Sequence, residues 1–166
     1  MNILYLHGLK GYLNPDKQKI LEPYGKPIAP SIDYENNPDV IAWLKEKYSS
    51  ENIDVIIGSS MGGFTGYHLC KILKVPALLF NPALAHRPVL QNTIATPKTN
   101  SNGISIILGG KDAVVNPKGT LEYIGNHLSD GQDLSLKILP KLEHRIPLDV
   151  FKGSVSDFMS GLKISK

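Results

Sequence analysis

Residues 54–63 read Asp-Val-Ile-Ile-Gly-Ser-Ser-Met-Gly-Gly, and this stretch decides how the rest of the chain is read. Val55 to Ile57 is a short apolar, β-branched run of the kind that forms a buried strand, and it stops at Gly58. Gly58-Ser59-Ser60-Met61-Gly62 is a G-x-S-x-G pattern, followed by a segment that reads as helix. Strand, sharp turn and helix are the setting of a nucleophile elbow, in which a serine is held at positive φ and the residues two positions before and after it crowd together. A Cβ at either crowded position would clash, which accounts for Gly58 and Gly62. With Ser59 as the nucleophile the crowded positions would be Ile57 and Met61, both too bulky, so Ser60 is the expected nucleophile. A bare G-x-S-x-G arises by chance in about one chain in ten of this length, so the weight of the motif comes from the strand before it and the helix after it.

Outward from this point, apolar runs alternate with helical patterns. Asn2 to His7 reads as a buried strand that opens onto the loop His7-Gly8-Leu9-Lys10-Gly11. Pro15 to Tyr24 holds two or three helical turns before Pro23 stops them, and Lys26 to Pro30 reads as a short strand. Asn37-Pro38 reads as an N-cap and first helical position, with Val40, Ile41, Trp43, Leu44 and Tyr48 at helical spacing behind it. Beyond the elbow, Met61 to Leu73 reads as helix and Ala77 to Asn81 as strand. Pro82 to Gly103 has no clear period, and at roughly twenty residues it is longer than most connections, as a functional flap or a poorly ordered segment would be. Ile104 to Leu108 is a strand, Asn116-Pro117 opens a helix to about Leu128, Leu134 to Leu139 is the last strand and Pro147 to Leu162 the last helix. Such alternation implies mostly parallel strands, about six of them, joined by helical crossovers: a layered α/β sheet. Ligands bind such sheets at the carboxyl ends of the strands.

The chain's 166 residues fit a single domain, 1–166. Its hydrophobic content of 42% and charged content of 20% are ordinary, and a net charge of +3 with no basic cluster argues against nucleic acid. Cys70 is alone, which excludes an internal disulfide framework, and no run approaches the roughly 20 apolar residues of a membrane span. The chain opens on a strand and not on a basic, apolar leader, so a cytoplasmic protein is expected.

A serine hydroxyl needs a base to take its proton and a carboxylate to hold that base in the right tautomer. Asp54, Asp130 and Asp133 precede their strands and fall on the wrong edge. Asp112, in Gly109-Gly110-Lys111-Asp112, follows a strand, as does Asp33 after the weaker strand near Pro30. Asp112 is the expected acid. Of the five histidines, His68 and His127 belong to helices, His7 to the His-Gly loop and His86 to the irregular segment, where it stays in contention. His144, after the last strand, is the best-placed base. Two backbone N–H groups are needed for the developing oxyanion. The amide of Met61 supplies one, and that of Leu9, approached closely because Gly8 lacks a side chain, supplies the other.

Tyr5-Leu6-His7-Gly8, Gly58-Ser59-Ser60-Met61-Gly62-Gly63, Asn81-Pro82-Ala83, Asp112 with Ala113-Val114-Val115, and His144 together resemble the α/β-hydrolases of the small YqiA-type esterase family over nearly the full length. The chain order serine, acid, histidine is that superfamily's order. The resemblance implies ester hydrolysis by a Ser60-Asp112-His144 triad without metal or cofactor, on a minimal sheet without a large lid. A small-molecule acyl ester or thioester is the partner it implies. A second reading keeps the scaffold as a catalytically weak binding protein, since fold does not fix function. A third, a nucleotide-binding α/β domain, is disfavoured because Gly58 to Gly63 fits neither G-x-G-x-x-G nor the P-loop.

Overall fold

The computed structural model describes residues 1–95 and 102–162. Six parallel strands form one sheet in the order β2-β1-β3-β4-β5-β6, namely β1 (Asn2–Leu6), β2 (Lys26–Ile28), β3 (Val55–Ser59), β4 (Ala77–Phe80), β5 (Ile104–Gly109) and β6 (Leu134–Leu139). The helices are α1 (Pro15–Leu21), α2 (Val40–Tyr48), α3 (Met61–Leu73), α4 (Pro117–His127) and α5 (Leu148–Gly161). Successive strand residues point to opposite faces, and both faces are covered. Leu4, Leu6, Ile56, Leu79 and Ile106 pack under α2, α3 and α4, while Ile3, Tyr5, Val55, Ile57 and Phe80 pack with Leu21, Phe151 and Val155 of α1 and α5. Double-sided burial is why the strands read as unbroken apolar runs. No large lid is present among the described residues.

Several boundaries differ from the sequence reading. β3 does not stop at Gly58 but runs to Ser59, because Gly58 still pairs with Leu6 and Leu79, and Ser59 with Phe80. β2 ends at Ile28 and α1 at Leu21, with a 3₁₀ turn from Glu22 to Tyr24 carrying Pro23. Asn37 does not cap α2, which begins at Val40: the Asn37 side chain accepts from the Asp39 amide, and its carbonyl accepts from Gln91 Nε2 at 2.9 Å. Pro147 precedes α5 as its cap residue. Residues 82–95 carry no helix or strand, as expected, and residues 96–101 of the expected flap lie outside the described residues. The described part is fastened to the turn before α2. Gln91 is buried and also donates to Tyr34 O, and Asn92 bonds Pro38 O and Asp39 Oδ1. Among the described residues no helix is long and apolar enough to cross a membrane.

The strand order reverses beside β1. The chain steps outward from β1 to β2, then returns to place β3 on the other side of β1. Leu6 and Gly58 are in register across β1 and β3. The loops after these two strands therefore emerge side by side, at the crevice where α/β sheets bind ligands.

Candidate active site

Ser60 links β3 to α3 at φ 55° and ψ −115°. A serine in that region costs about 1–3 kcal/mol and needs neighbours to hold it. Here its N–H donates to Phe80 O, and its carbonyl accepts from the amides of Phe64 and Ala83. The crowding expected around the turn is present. A Cβ on Gly58 would lie 2.3 Å from Gly62 O, and one on Gly62 would lie 2.0 Å from Leu6 O. Gly62 is thus squeezed mainly by the end of β1, which brings the first turn of α3 against the His7-Gly8 loop. Although Ser60 occupies the helix N-cap position, its side chain makes no capping bond, so Oγ stays available.

Asp112 and His144 meet on the same edge. The Asp112 side chain is fully buried, and its Oδ2 lies 2.8 Å from His144 Nδ1. Its Oδ1 accepts from the amides of Val114 and Val115, each at 2.8 Å. The carboxylate is thereby locked by two backbone donors while its other oxygen faces the imidazole. That contact requires Nδ1 to carry the proton and leaves Nε2 as the free nitrogen. Asp33, the competing acid, is exposed and serves its own turn. Its carboxylate accepts from the Glu35 and Asn36 amides and from Asn36 Nδ2, and these bonds, the Asn36 side chain foremost, lower its pKa. Asp54 sits on the opposite edge, where it accepts from the Asn2 amide.

Ser60 and His144 line one cavity of about 740 Å³, with Asp112 buried behind the histidine. No hydrogen bond joins Ser60 Oγ to His144 among the described residues, a looseness common in sites without substrate. His86 also lines the cavity, but it is exposed and pairs with no carboxylate among the described residues. His127 stacks on Tyr123 with ring centroids 4.1 Å apart. His68 is buried between Phe64 and Tyr67, with its pKa pulled down to about 4 by burial first and by Lys71, Arg87 and His127 second.

His7, Gly8 and Leu9 form the other wall. Gly8 presses on Ser60, since a Cβ there would lie 3.3 Å from Ser60 Cβ. His7 is buried and uses both ring nitrogens: Nδ1 donates to Gly8 O at 2.7 Å and Nε2 accepts the Ile32 amide at 3.0 Å. Gly8 O also accepts the Gly11 amide at 3.0 Å. Two donors on one carbonyl fix the plane of the Gly8–Leu9 peptide, and the Leu9 N–H of that same plane points the opposite way. Neither Leu9 nor Met61, the first residue of α3, donates its amide to another described residue.

Asn81, quoted in the sequence only as the end of a strand and within Asn81-Pro82-Ala83, also belongs to this site. At φ 42° and almost wholly buried, it accepts from the Gly109 amide at 2.6 Å and donates to the carbonyls of Glu143 at 3.1 Å and His144 at 3.2 Å. One side chain therefore ties the end of β4 to the end of β5 and to the backbone that carries the histidine. Its signal was an asparagine directly after an apolar strand and before proline. Among the described residues no group of three His, Cys, Asp or Glu side chains converges as a metal site.

The comparisons with known proteins agree with this architecture. A family model described as Uncharacterised protein family (UPF0227) matches residues 2–112, which include β1, the elbow and Asp112. A search of curated proteins found no match. The chain is similar in structure to a Xanthomonas campestris protein of the alpha/beta hydrolase superfamily, at TM-score 0.70 and 15% identity over 97% of this chain and 98% of that one. It is also similar to a monoacylglycerol lipase from Paleococcus ferrophilus, at TM-score 0.72 and 12% identity over 95% and 93% of the two chains. Est1E from Butyrivibrio proteoclasticus is similar at TM-score 0.67 and 14% identity over 96% and 86%. At these identities the likeness is one of fold. The chain has the fold of the α/β-hydrolases and belongs to the UPF0227 family.

Proposed function

We propose that this protein is a serine hydrolase of short-chain carboxylic esters or thioesters, acting through an acyl-enzyme. The observation that carries the reading is the 2.8 Å contact of His144 Nδ1 with a buried Asp112, beside a serine held at positive φ in the same cavity. Ser60 Oγ attacks the acyl carbon as His144 Nε2 accepts its proton. Asp112 keeps the Nδ1–H tautomer and stabilises the imidazolium that forms. The amides of Leu9 and Met61 receive the negative oxygen of the tetrahedral intermediate, a role in which a single donor contributes about 10²- to 10³-fold. Return of the carbonyl expels the alcohol or thiol, which takes the proton from Nε2. Water then repeats the sequence on the acyl-enzyme and regenerates Ser60.

Short acyl groups are favoured because little of the chain is left to enclose a long one: of the described irregular segment only Ala83, His86 and Pro88 line the cavity, and Gln91 and Asn92 are fastened to the turn before α2. Long chains gain about 0.8 kcal/mol for each methylene buried, a reward that needs a deep apolar tunnel. A series of p-nitrophenyl esters tests both parts. Turnover is expected to peak at short acyl chains and to vanish in Ser60→Ala. A rate that climbs steadily beyond about ten carbons, as continued methylene burial would produce, contradicts the short-chain assignment.

A further inference from the structure

The cavity over Ser60 has an uneven charge. Its lining contains Lys17 from α1 and Arg145 from the loop after β6, and no aspartate or glutamate. Arg145 is exposed, but Lys17 is half-buried, and its Nζ lies 5.0 Å from the centre of the Phe151 ring. That ring is itself fixed, buried against Tyr5 and Phe80. Burial draws the lysine below its ordinary pKa. Such a cation usually finds a carboxylate. Here the ion pairs among the described residues are Lys10 with Glu35 and His144 with Asp112, and neither includes Lys17. The aromatic face offsets part of the desolvation of the ammonium, and Lys17 itself lines the cavity.

We propose that the site takes an ester of which one limb, acyl or alcohol, ends in a carboxylate, and that Lys17 is the counter-charge that selects it. The proposal rests on the serine-hydrolase reading for the position of the ester and adds the chemistry of the limb. One compact ammonium matches one negative charge, and a charge-assisted hydrogen bond in a partly dry wall is stronger than its counterpart in water. The absence of acidic lining residues removes the repulsion such a substrate would meet.

Binding to the full-length Ser60→Ala protein tests this without turnover. Monomethyl glutarate and O-acetylglycolate, which carry the carboxylate on the acyl and on the alcohol limb, are titrated calorimetrically against their uncharged methyl esters. At least one anion is expected to bind about tenfold or more tightly than its neutral partner, the scale of one added charge-assisted hydrogen bond. Adding Lys17→Met, which keeps an apolar stem over Phe151, should close the gap to within about twofold, whereas Lys17→Arg should keep most of it. Equal binding within both pairs, no binding of either anion, or a gap that survives Lys17→Met in a variant that melts normally overturns the proposal. Because the assay uses no hydrolysis, inactivity toward every ester would count against the serine-hydrolase reading and leave this result standing.

Discussion

Replacing Asp112 with asparagine changes one atom in a site whose hydrogen bonds are fully assigned. The side-chain oxygen can go on accepting from the amides of Val114 and Val115, so the loop has no reason to rearrange. The new NH₂ then faces His144 Nδ1 across the present 2.8 Å contact. A donor in that place pairs with a lone pair on Nδ1 and so moves the imidazole proton to Nε2, the nitrogen that accepts from Ser60 in the proposed mechanism. The charge that stabilises the imidazolium is lost as well. The expected loss in kcat is about 10²- to 10⁴-fold, or roughly 3–5 kcal/mol of barrier at 1.36 kcal/mol per decade. Asp33→Asn is the matched control. Asp33 is exposed and bonds only within its own turn, so turnover should change by less than about fivefold, near 1 kcal/mol. Steady-state hydrolysis of a short p-nitrophenyl ester, with thermal unfolding of each variant alongside, reads both. The reverse pattern at unchanged stability would refute the assignment and make Asp33 the acid.

His7→Ala removes one of the two donors that orient the Gly8–Leu9 peptide, so kcat should drop about tenfold to a hundredfold with KM within about threefold, part of the loss seen when an oxyanion donor is deleted. An unchanged kcat in a folded variant would reduce His7 to packing. His68 makes stability depend on pH. Its folded pKa of about 4 lies below its unfolded value, so the neutral form is favoured by folding, and the contribution is complete above about pH 6.5 and lost as pH falls toward 4. From pH 7 to pH 5 this amounts to about 2 kcal/mol, readable from urea midpoints, and His68→Leu should flatten that slope; an unchanged slope would place the acid sensitivity elsewhere.

The layered sheet was legible because β1, β3, β4 and β5 are buried on both faces, which leaves apolar runs too continuous to mistake. The elbow was legible because two glycines are imposed by backbone contacts at fixed offsets from Ser60. That Asp112 and His144 lie on one edge could be read from the strands they follow, although Asp33 passed the same filter and only the stronger strand and the chain order set Asp112 ahead of it. What was not legible depends on contacts between distant residues. Asn81 reaches residues more than sixty positions away, and its place after an apolar strand and before proline does not say which groups it will bond. Asn37-Pro38 has the form of a helix start, yet Gln91 and Asn92 draw that turn away from the helix. Lys17 drew no reading from the sequence, because Phe151, which the fold brings beneath it, lies on the last helix.

The central claim is that Ser60 is an activated nucleophile, and reaction with a fluorophosphonate followed by peptide mass spectrometry tests it most directly. Such a reagent modifies a serine only where a base and an oxyanion site act together. One adduct per chain is expected, on Ser60, and it should be lost in His144→Ala. A correctly folded protein that takes up no label, or takes it elsewhere, would contradict the account and favour a binding protein on the hydrolase scaffold.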